Sequence, residues 1–446
     1  MKDKYYDLIV IGAGVAGLAT AEIFSRSGQK VLLIEKNEKI CQEASGMHHG
    51  WFHFGSLYSI FPNNQFLKTL VGGVDDLLEF YSDLPGMNIK INSKNKLDFL
   101  DSKGQWFRNE SIEYIVSARN NSDFSLNKFD GFLKYLKKLF FVSIWELAIK
   151  QFVSRHQRFY KFKWGVMPAS SWIPKAGWAD YSRDIISKPE KLDANLDKDT
   201  HFRIVGFDRP MISTNIVSDL LKSFLSNGGI LKTNSKVDSV KRKEGRVVVG
   251  DETYTGKRVI IASGHHTNDL LKDEERSKIL ISPLIVAYPS VSRTNFVRLT
   301  PFVEKSVNHI FHEIDGKKYS VIGGGFFADP NNQNEIRQAE KSLMEMAKKV
   351  FPKLSGSKHE VYFSHKTESI PKSGERNYQY NINDLNDGLY EILPGKFSLG
   401  FSLAVNIYKE ITGKIPEKKC KINQQISIEG FIEPMKHGKI VSDFVK

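Results

Sequence analysis

Unbroken apolar runs and helically spaced apolar positions alternate at the start of the chain. Residues 8–11 and, after Lys30, residues 31–34 are continuous apolar stretches, which is typical of strands buried on both faces of a parallel sheet. Between them, residues 15–26 carry apolar side chains at helical spacing, and Gly28 follows where a helix commonly ends. This pattern predicts a strand–helix–strand unit whose second strand ends at Glu35.

Similar patterns predict elements further along the chain. Residues 213–240 indicate a helix, a stop at a pair of glycines and then a strand. Residues 258–264 indicate a buried strand that ends in a Ser-Gly pair. Residues 131–165 place apolar side chains at helical spacing among many lysines and arginines, which predicts a basic amphipathic helix.

Three glycines follow the first predicted strand in G-x-G-x-x-G spacing. Gly12 permits a tight turn, Gly14 lets the backbone approach a pyrophosphate, and Gly17 lets helix and strand pack closely. The start of the helix, with Val15 and Ala16, supplies amide donors to phosphates. Glu35, followed by Lys36, stands where an acid accepts the ribose hydroxyls of an adenosine. The sequence predicts a dinucleotide site, for which FAD and NAD are both open at this point.

A loop rich in histidine and glycine, EASGMHHGWFHFGS, occupies residues 43–56. A metal site needs ligands at suitable spacing, but His48, His49 and His53 have no cysteine or carboxylate set nearby, and Gly50 breaks the helical spacing. We therefore expect no metal there. The alternative is a loop that lies against a flat ring, because glycines allow backbone to approach an aromatic system closely.

Composition narrows the class of protein. A chain of 446 residues predicts more than one lobe. The two cysteines are far apart, so a reducing cytoplasm is expected, and no apolar run is long enough to span a membrane. The net charge of +13 favours anionic partners, although a lysine-rich solvated surface explains it equally well.

Three segments resemble the D-amino acid oxidase-like (DAO) superfamily of FAD-dependent oxidoreductases. The N-terminal unit is the first. In the second, SGMHHGWFHFG resembles the family's loop along the flavin ring, with His48 where asparagine is common. In the third, PGKFSLGFSLA at 394–404 resembles a stretch in which a helix N-terminus faces the flavin, although Lys396 replaces histidine and Phe397 replaces glycine. Residues 311–330 are similar to hairpin strands of the family's substrate domain.

The resemblance implies an α/β fold. We expect a Rossmann-like FAD-binding domain of the glutathione reductase type and a mixed-sheet α+β substrate domain. The predicted FAD-binding domain is discontinuous and comprises residues 1–60, 201–272 and 385–446. The predicted substrate domain comprises residues 61–200 and 273–384 and includes the basic segment 131–165.

The resemblance also implies FAD as the cofactor. Noncovalent binding is expected, with a covalent link to His48 or His49 as the alternative. Beyond the N-terminal unit, the residues expected to bind FAD come from four places along the chain. They are Ser45, Gly46, Met47, His48, His49 and Gly50; Val237; Ala262, Ser263 and Gly264; and Gly400, Phe401, Ser402 and Leu403.

The family's chemistry implies oxidation of a C–N or C–O bond of a small amino or hydroxy acid by hydride transfer to flavin. Arg376 is the leading candidate for holding the substrate carboxylate, since a guanidinium matches a carboxylate in bidentate fashion. Lys366, His365 and Tyr380 are the alternative anchors. His53 is a candidate proton handler, and Lys396 a cation near the flavin.

Two other functions stay open. One is a flavoenzyme that acts on a larger anionic substrate, such as a nucleotide-linked sugar or a tRNA base, although a nucleic-acid partner is not favoured. The other is a membrane-attached electron-transfer module. A dehydrogenase is favoured over an oxidase, because the basic segment 131–165 could meet a quinone, a carrier protein or the inner face of the membrane.

Overall fold

The computed structural model describes most of the chain. The described residues are 4–60, 64–91, 97–117, 140, 143–144, 147, 201–205, 207–271, 277–300, 306–369 and 379–446. Arg376 and nearly all of the basic segment 131–165 lie outside these ranges, so the predictions made for them stay predictions.

The described residues form strands and helices in the following order. The strands are β1 Lys4–Ile11, β2 Val31–Ile34, β3 Trp51–Phe52, β4 Ile89–Ile91, β5 Leu97–Phe99, β6 Glu113–Ser117, β7 His201–Val205, β8 Arg209–Pro210, β9 Ile230–Lys232, β10 Ser239–Lys241, β11 Arg246–Val249, β12 Glu252–Ile261, β13 Ser277–Tyr288, β14 Phe296–Leu299, β15 Val307–Ile314, β16 Lys317–Gly324, β17 Lys358–Ser369, β18 Asn381–Asp384 and β19 Leu389–Leu393. The helices are α1 Val15–Arg26, α2 Asn64–Phe80, α3 Ser213–Ser226, α4 Thr267–Leu271, α5 Gln333–Val350, α6 Gly400–Thr412 and α7 Lys436–Val445.

The first sheet has a parallel centre. Strands β9, β2, β1, β12 and β19 lie side by side in parallel, and β10, β11 and β18 extend the sheet antiparallel. Helices α1, α2, α3 and α6 contribute to one apolar core with this sheet. Helix α1 is buried along its whole length, which explains why it carries few polar side chains.

The second sheet is mostly antiparallel, in the order β17-β13-β16-β15-β14-β6-β7, with only β14 and β6 parallel. Strand β13 is buried on both faces, and its alternate residues therefore face different helices. Ile285 and Ala287 pack in the cluster that includes α5, whereas Leu284 and Val286 pack in the cluster that includes α7. Strands β15 and β16 form a hairpin that turns at Asp315 and Gly316, both at positive φ.

The structure confirms the predicted fold class and the first strand–helix–strand unit. The α1 boundaries agree with the prediction, and helix α3 and the end of β12 lie where the sequence pattern predicts them. The β15–β16 hairpin lies where the family resemblance implies it. The predicted division into two domains stays a prediction. Strand β7, which that division assigns to the FAD-binding domain, pairs with β6 in the second sheet. Within the described residues, no helix combines the length and apolar character that crossing a membrane requires.

Candidate active site

The predicted cofactor residues gather at the carboxyl edge of the parallel strands. Gly12 follows β1, Glu35 follows β2 and Ala262 follows β12, which are neighbouring strands. Gly12 has φ +102°, and a Cβ there would lie 2.7 Å from the carbonyl oxygen of Ala262. A Cβ on Gly17 would overlap the carbonyl oxygen of Gly12. Only glycine therefore permits this approach of helix to strands.

Two helices begin at this edge. The Val15 amide at the start of α1 donates to Ser45 Oγ at 3.0 Å, so the serine hydroxyl is held at the helix N-terminus. A Cβ on Gly400, the first residue of α6, would lie 3.4 Å from a methyl group of Val15. Helix N-termini attract anions through free amides and their dipoles, so this edge suits a pyrophosphate.

Glu35 is buried beside this turn. Its Oε2 accepts from the Ala13 amide at 2.8 Å and its Oε1 accepts from the Asn37 amide at 3.0 Å. The carboxylate thus also fixes the glycine-rich turn. Lys36, the next residue, lies at the rim, with its Nζ 2.6 Å from His266 Nε2. Val237 is buried against the same sheet.

The histidine- and glycine-rich loop is held from behind by the second sheet. A Cβ on Gly50, at φ +82°, would overlap the ring of His312. His312 Nε2 donates to the carbonyl oxygen of His49 at 3.0 Å. His48 is fully engaged, since its Nδ1 accepts from the Gly50 amide at 2.9 Å and its Nε2 lies 3.2 Å from Ser213 Oγ. His49 differs, because its buried Nε2 has no hydrogen-bond partner.

Asp208, which the sequence analysis did not single out, organises the end of this loop. Its carboxylate accepts from Trp51 Nε1 at 3.0 Å, from the backbone amides of Phe54 and Ser56 at 2.8 and 3.2 Å, and from the Tyr114 hydroxyl at 2.6 Å. Burial alone raises the pKa of Asp208, but His53 and these donors outweigh burial and lower it. The only sequence signal is an acid next to Arg209, after the apolar residues Ile204, Val205 and Phe207.

Of the four predicted catalytic residues, Lys366 and Lys396 act electrostatically on a third, His53. Burial lowers the pKa of His53, and the nearby Lys396 and Lys366 lower it further, while Asp208 opposes them. His53 Nδ1 lies 3.5 Å from Asp208 Oδ2. The Lys396 ammonium lies over the Tyr58 ring, 5.3 Å from its centroid. His53, Lys366 and Lys396 therefore belong to one neighbourhood.

Some predicted cofactor residues face elsewhere. The Phe401 and Leu403 side chains lie in the apolar core, and the Phe401 ring packs on Trp106 and Phe52. Only the backbone of these two residues could face a ligand at the start of α6. Met47 packs with the apolar cluster under α7. A Cβ on Gly46 would overlap the carbonyl oxygen of Cys41, so Gly46 serves the path of the loop itself.

The residues at this edge fit FAD. The glycine cradle and the two helix N-termini suit its pyrophosphate, and Glu35 suits its ribose. The path of the loop 45–50 is fixed from behind, as a wall for a flat ring requires, and the unpartnered Nε2 of His49 is a polar group that a ligand could satisfy. Fold and site together define a dinucleotide-binding protein.

Comparison with known families gives the particular class. The family described as FAD dependent oxidoreductase (DAO) matches residues 7–108 and 213–371. The chain belongs to this family, and its cofactor is FAD.

Solved structures share the fold at low identity. Glycine oxidase from Geobacillus kaustophilus is 11% identical with a TM-score of 0.61, covering 95% of this chain and 100% of its own. FAD-bound L-alpha-glycerophosphate oxidase from Mycoplasma pneumoniae is 16% identical with a TM-score of 0.62, covering 94% and 98%. L-proline dehydrogenase from P. horikoshii is 11% identical with a TM-score of 0.62, covering 93% and 96%. These likenesses show the fold alone.

A curated relative matches over a short stretch. The tRNA 5-methylaminomethyl-2-thiouridine biosynthesis bifunctional protein of Burkholderia thailandensis is 53% identical over 47 residues. That stretch is 10% of this chain and spans only 7% of the relative's length.

Glu35→Ala should weaken FAD binding by about tenfold to a hundredfold, because a hydrogen bond to a charged group contributes ~1.5–3 kcal/mol. Fluorescence titration of the apoprotein with FAD measures this change. Glu38→Ala, at an exposed position of the same loop, is the matched control and should bind FAD as the wild type does. Equal affinities in all three proteins would contradict the assignment of Glu35.

The free energy of unfolding should fall as the pH drops below about 6.5, the pKa of histidine in an unfolded chain. Burial lowers the pKa of His48 and His312 to about 3 and that of His309 to about 4. Between these values and about 6.5 the unfolded chain binds protons that the folded chain does not. Each such histidine therefore lowers the free energy of unfolding by ~1.4 kcal/mol for every pH unit.

Urea unfolding at about pH 7.5 and about pH 5.5 tests this expectation. His309 packs in the second sheet, between Thr294 and Ser320, so His309→Gln should reduce the difference between the two pH values. An unfolding free energy that is the same at both would show that the buried histidines take up protons in the folded protein.

Proposed function

We propose that the protein oxidises the C–O or C–N bond of a small carboxylate, a 2-hydroxy acid or an amino acid, with FAD as hydride acceptor. The observation that carries this proposal is the buried pair of His53 and Asp208 beside two lysines. When bound, FAD supplies a two-electron acceptor of fixed orientation. The protein supplies binding, orientation and a site for the proton.

His53 is suited to accept a proton. Its lowered pKa keeps the imidazole neutral near pH 7, and a neutral imidazole has a free acceptor nitrogen. With Nδ1 directed toward Asp208 at 3.5 Å, Nε2 is the nitrogen left for a substrate. A contact of this length is common in a ligand-free site and shortens when substrate binds.

Asp208 is suited to orient His53 rather than to react. It is fully buried and accepts hydrogen bonds from Trp51 and Tyr114. Its lowered pKa keeps it ionised, so it favours the Nδ1–H tautomer of His53 and stabilises the imidazolium that forms when a proton arrives. Asp208 is therefore a positioning residue.

The lysines favour an anionic substrate. Lys366 and Lys396 both lower the pKa of His53 through their charge, and positive charge near His53 attracts a carboxylate. The lysines would hold the substrate carboxylate, and bound FAD would supply the acceptor for the hydride on Cα. The hydroxyl proton goes to His53 Nε2, and the product is a 2-oxo acid.

A hydroxy acid fits the pair better than an amine does. A neutral amine can lose hydride without giving up a proton, since its nitrogen lone pair stabilises the product cation. A hydroxyl must lose its proton as the hydride leaves, which requires a base. The His53–Asp208 pair supplies one, so hydroxy acids are the first substrates to test.

An anaerobic bleaching screen tests the proposed function. Flavin absorbance should fade when a 2-hydroxy acid or an amino acid that fits the site is added, and it should fade less with the corresponding amide, which has no negative charge for the lysines. Dithionite should bleach the same sample, which shows that the flavin is reducible. If dithionite bleaches the flavin and no acid in the panel does, the proposal is wrong.

His53→Gln should slow flavin reduction by the identified substrate by about 10²–10⁴-fold, the range for loss of a general base. FAD content should stay unchanged, because glutamine can still donate to Asp208. His359→Gln, on the exposed part of β17, is the control and should reduce flavin at the wild-type rate. Anaerobic stopped-flow measures these rates, and a loss under about tenfold would exclude His53 as the base.

A further inference from the structure

We propose that Glu43, His265 and His365 bind a divalent metal ion, with Zn²⁺ as the ion of choice. This set departs from the expectation of no metal in the chain. It uses none of the three histidines of the loop 43–56. The proposal is independent of the substrate and of the reaction proposed above.

The three side chains converge from separate parts of the fold. Glu43 is the first residue of the loop 43–56, His265 follows the end of β12, and His365 lies on β17 of the second sheet. One ligand atom from each residue lies within 4.8 Å of the other two. His365 Nδ1 is 3.6 Å from Glu43 Oε2. Ligands at ~2.0–2.2 Å from one ion need only small side-chain rotations from this arrangement.

One ligand atom of the set is unsatisfied. His365 Nδ1 is buried and has no hydrogen-bond partner, and the Glu43 carboxylate is the acid beside it. Buried polar atoms normally have a partner, and each exception needs a reason. An ion between the two groups would satisfy both.

The donor set selects the ion. Two imidazoles and one carboxylate form the ligand set of many zinc sites that keep a fourth position open. All three residues are half-buried, which leaves room for water as a fourth ligand. Fe²⁺ also accepts two histidines and a carboxylate, so it is the competitor to test. Hard ions such as Mg²⁺ prefer oxygen ligands.

Lys36 opposes the ion and so provides a test. Its Nζ lies 3.1 Å from Glu43 Oε1, where an ammonium repels a cation. It also contacts His266 Nε2 at 2.6 Å, a partner it can keep when Glu43 turns toward the metal. Removing the Lys36 charge should therefore strengthen metal binding, whereas removing a ligand should weaken it.

The experiment is an isothermal calorimetric titration with ZnCl₂, which measures affinity and stoichiometry. The protein is untagged, treated with a chelator to remove metals and loaded with FAD. We expect one ion per chain. Glu43→Gln, His265→Gln and His365→Gln should each weaken zinc binding at least tenfold, and His359→Gln, on the same strand as His365, should not change it. Lys36→Met should bind zinc more tightly than the wild type. Parallel titrations with Fe²⁺ and Mg²⁺ should give weaker binding.

Far-UV circular dichroism checks that each variant is folded, since Lys36 is itself expected to lie at the FAD site. The absence of zinc binding to the wild type would overturn the proposal, as would wild-type affinity in His365→Gln. The Lys36→Met arm does not depend on the loss of a ligand, so weaker zinc binding in that folded variant also counts against the site. Tighter binding of Fe²⁺ than of Zn²⁺ would overturn the assignment of the ion.

Discussion

The close approach of backbone at the carboxyl edge of the parallel sheet is the constraint on which the rest of the structure depends. Gly12, Gly17 and Ala262 lie so near one another that a Cβ on either glycine would collide with a carbonyl oxygen. This contact aims the start of α1 at the space beyond β1. Glu35 then hydrogen-bonds to the turn, and Ser45 accepts a hydrogen bond from the first helical amide, so the turn also sets the path of the histidine- and glycine-rich loop.

A second constraint is burial behind that loop. His48 and His312 hold neighbouring backbone while burial keeps their pKa at about 3, so both imidazoles are neutral near pH 7. Among the described residues, Asp208, Lys366 and Lys396 are the charged groups that act on His53. In a low-dielectric setting a buried carboxylate can orient an imidazole, and nearby lysines attract an anion. The proposed small acid matches this arrangement.

The features that could be predicted from the sequence are those formed by residues close together along the chain. The glycine motif, α1 and Glu35 are contiguous, and each has a required spacing, so the first unit was predicted with its boundaries. Asp208 acts on residues more than 150 positions away, and His312 supports Gly50 from another sheet. No local pattern marks such partners. The spacing of apolar residues in α6 likewise does not show which of them face the core. Phe401 faces the core. The part played by Arg376 stays a prediction.

We expect the flavin ring to lie along the histidine- and glycine-rich loop, next to His53. A crystal structure of the FAD-bound protein measures this most directly. It should show the ring against the backbone of residues 46–50, near the start of α6, with His53 Nε2 open to the cavity on the substrate side. A ring that lies away from this loop, or a His53 turned away from the cavity, would contradict the account.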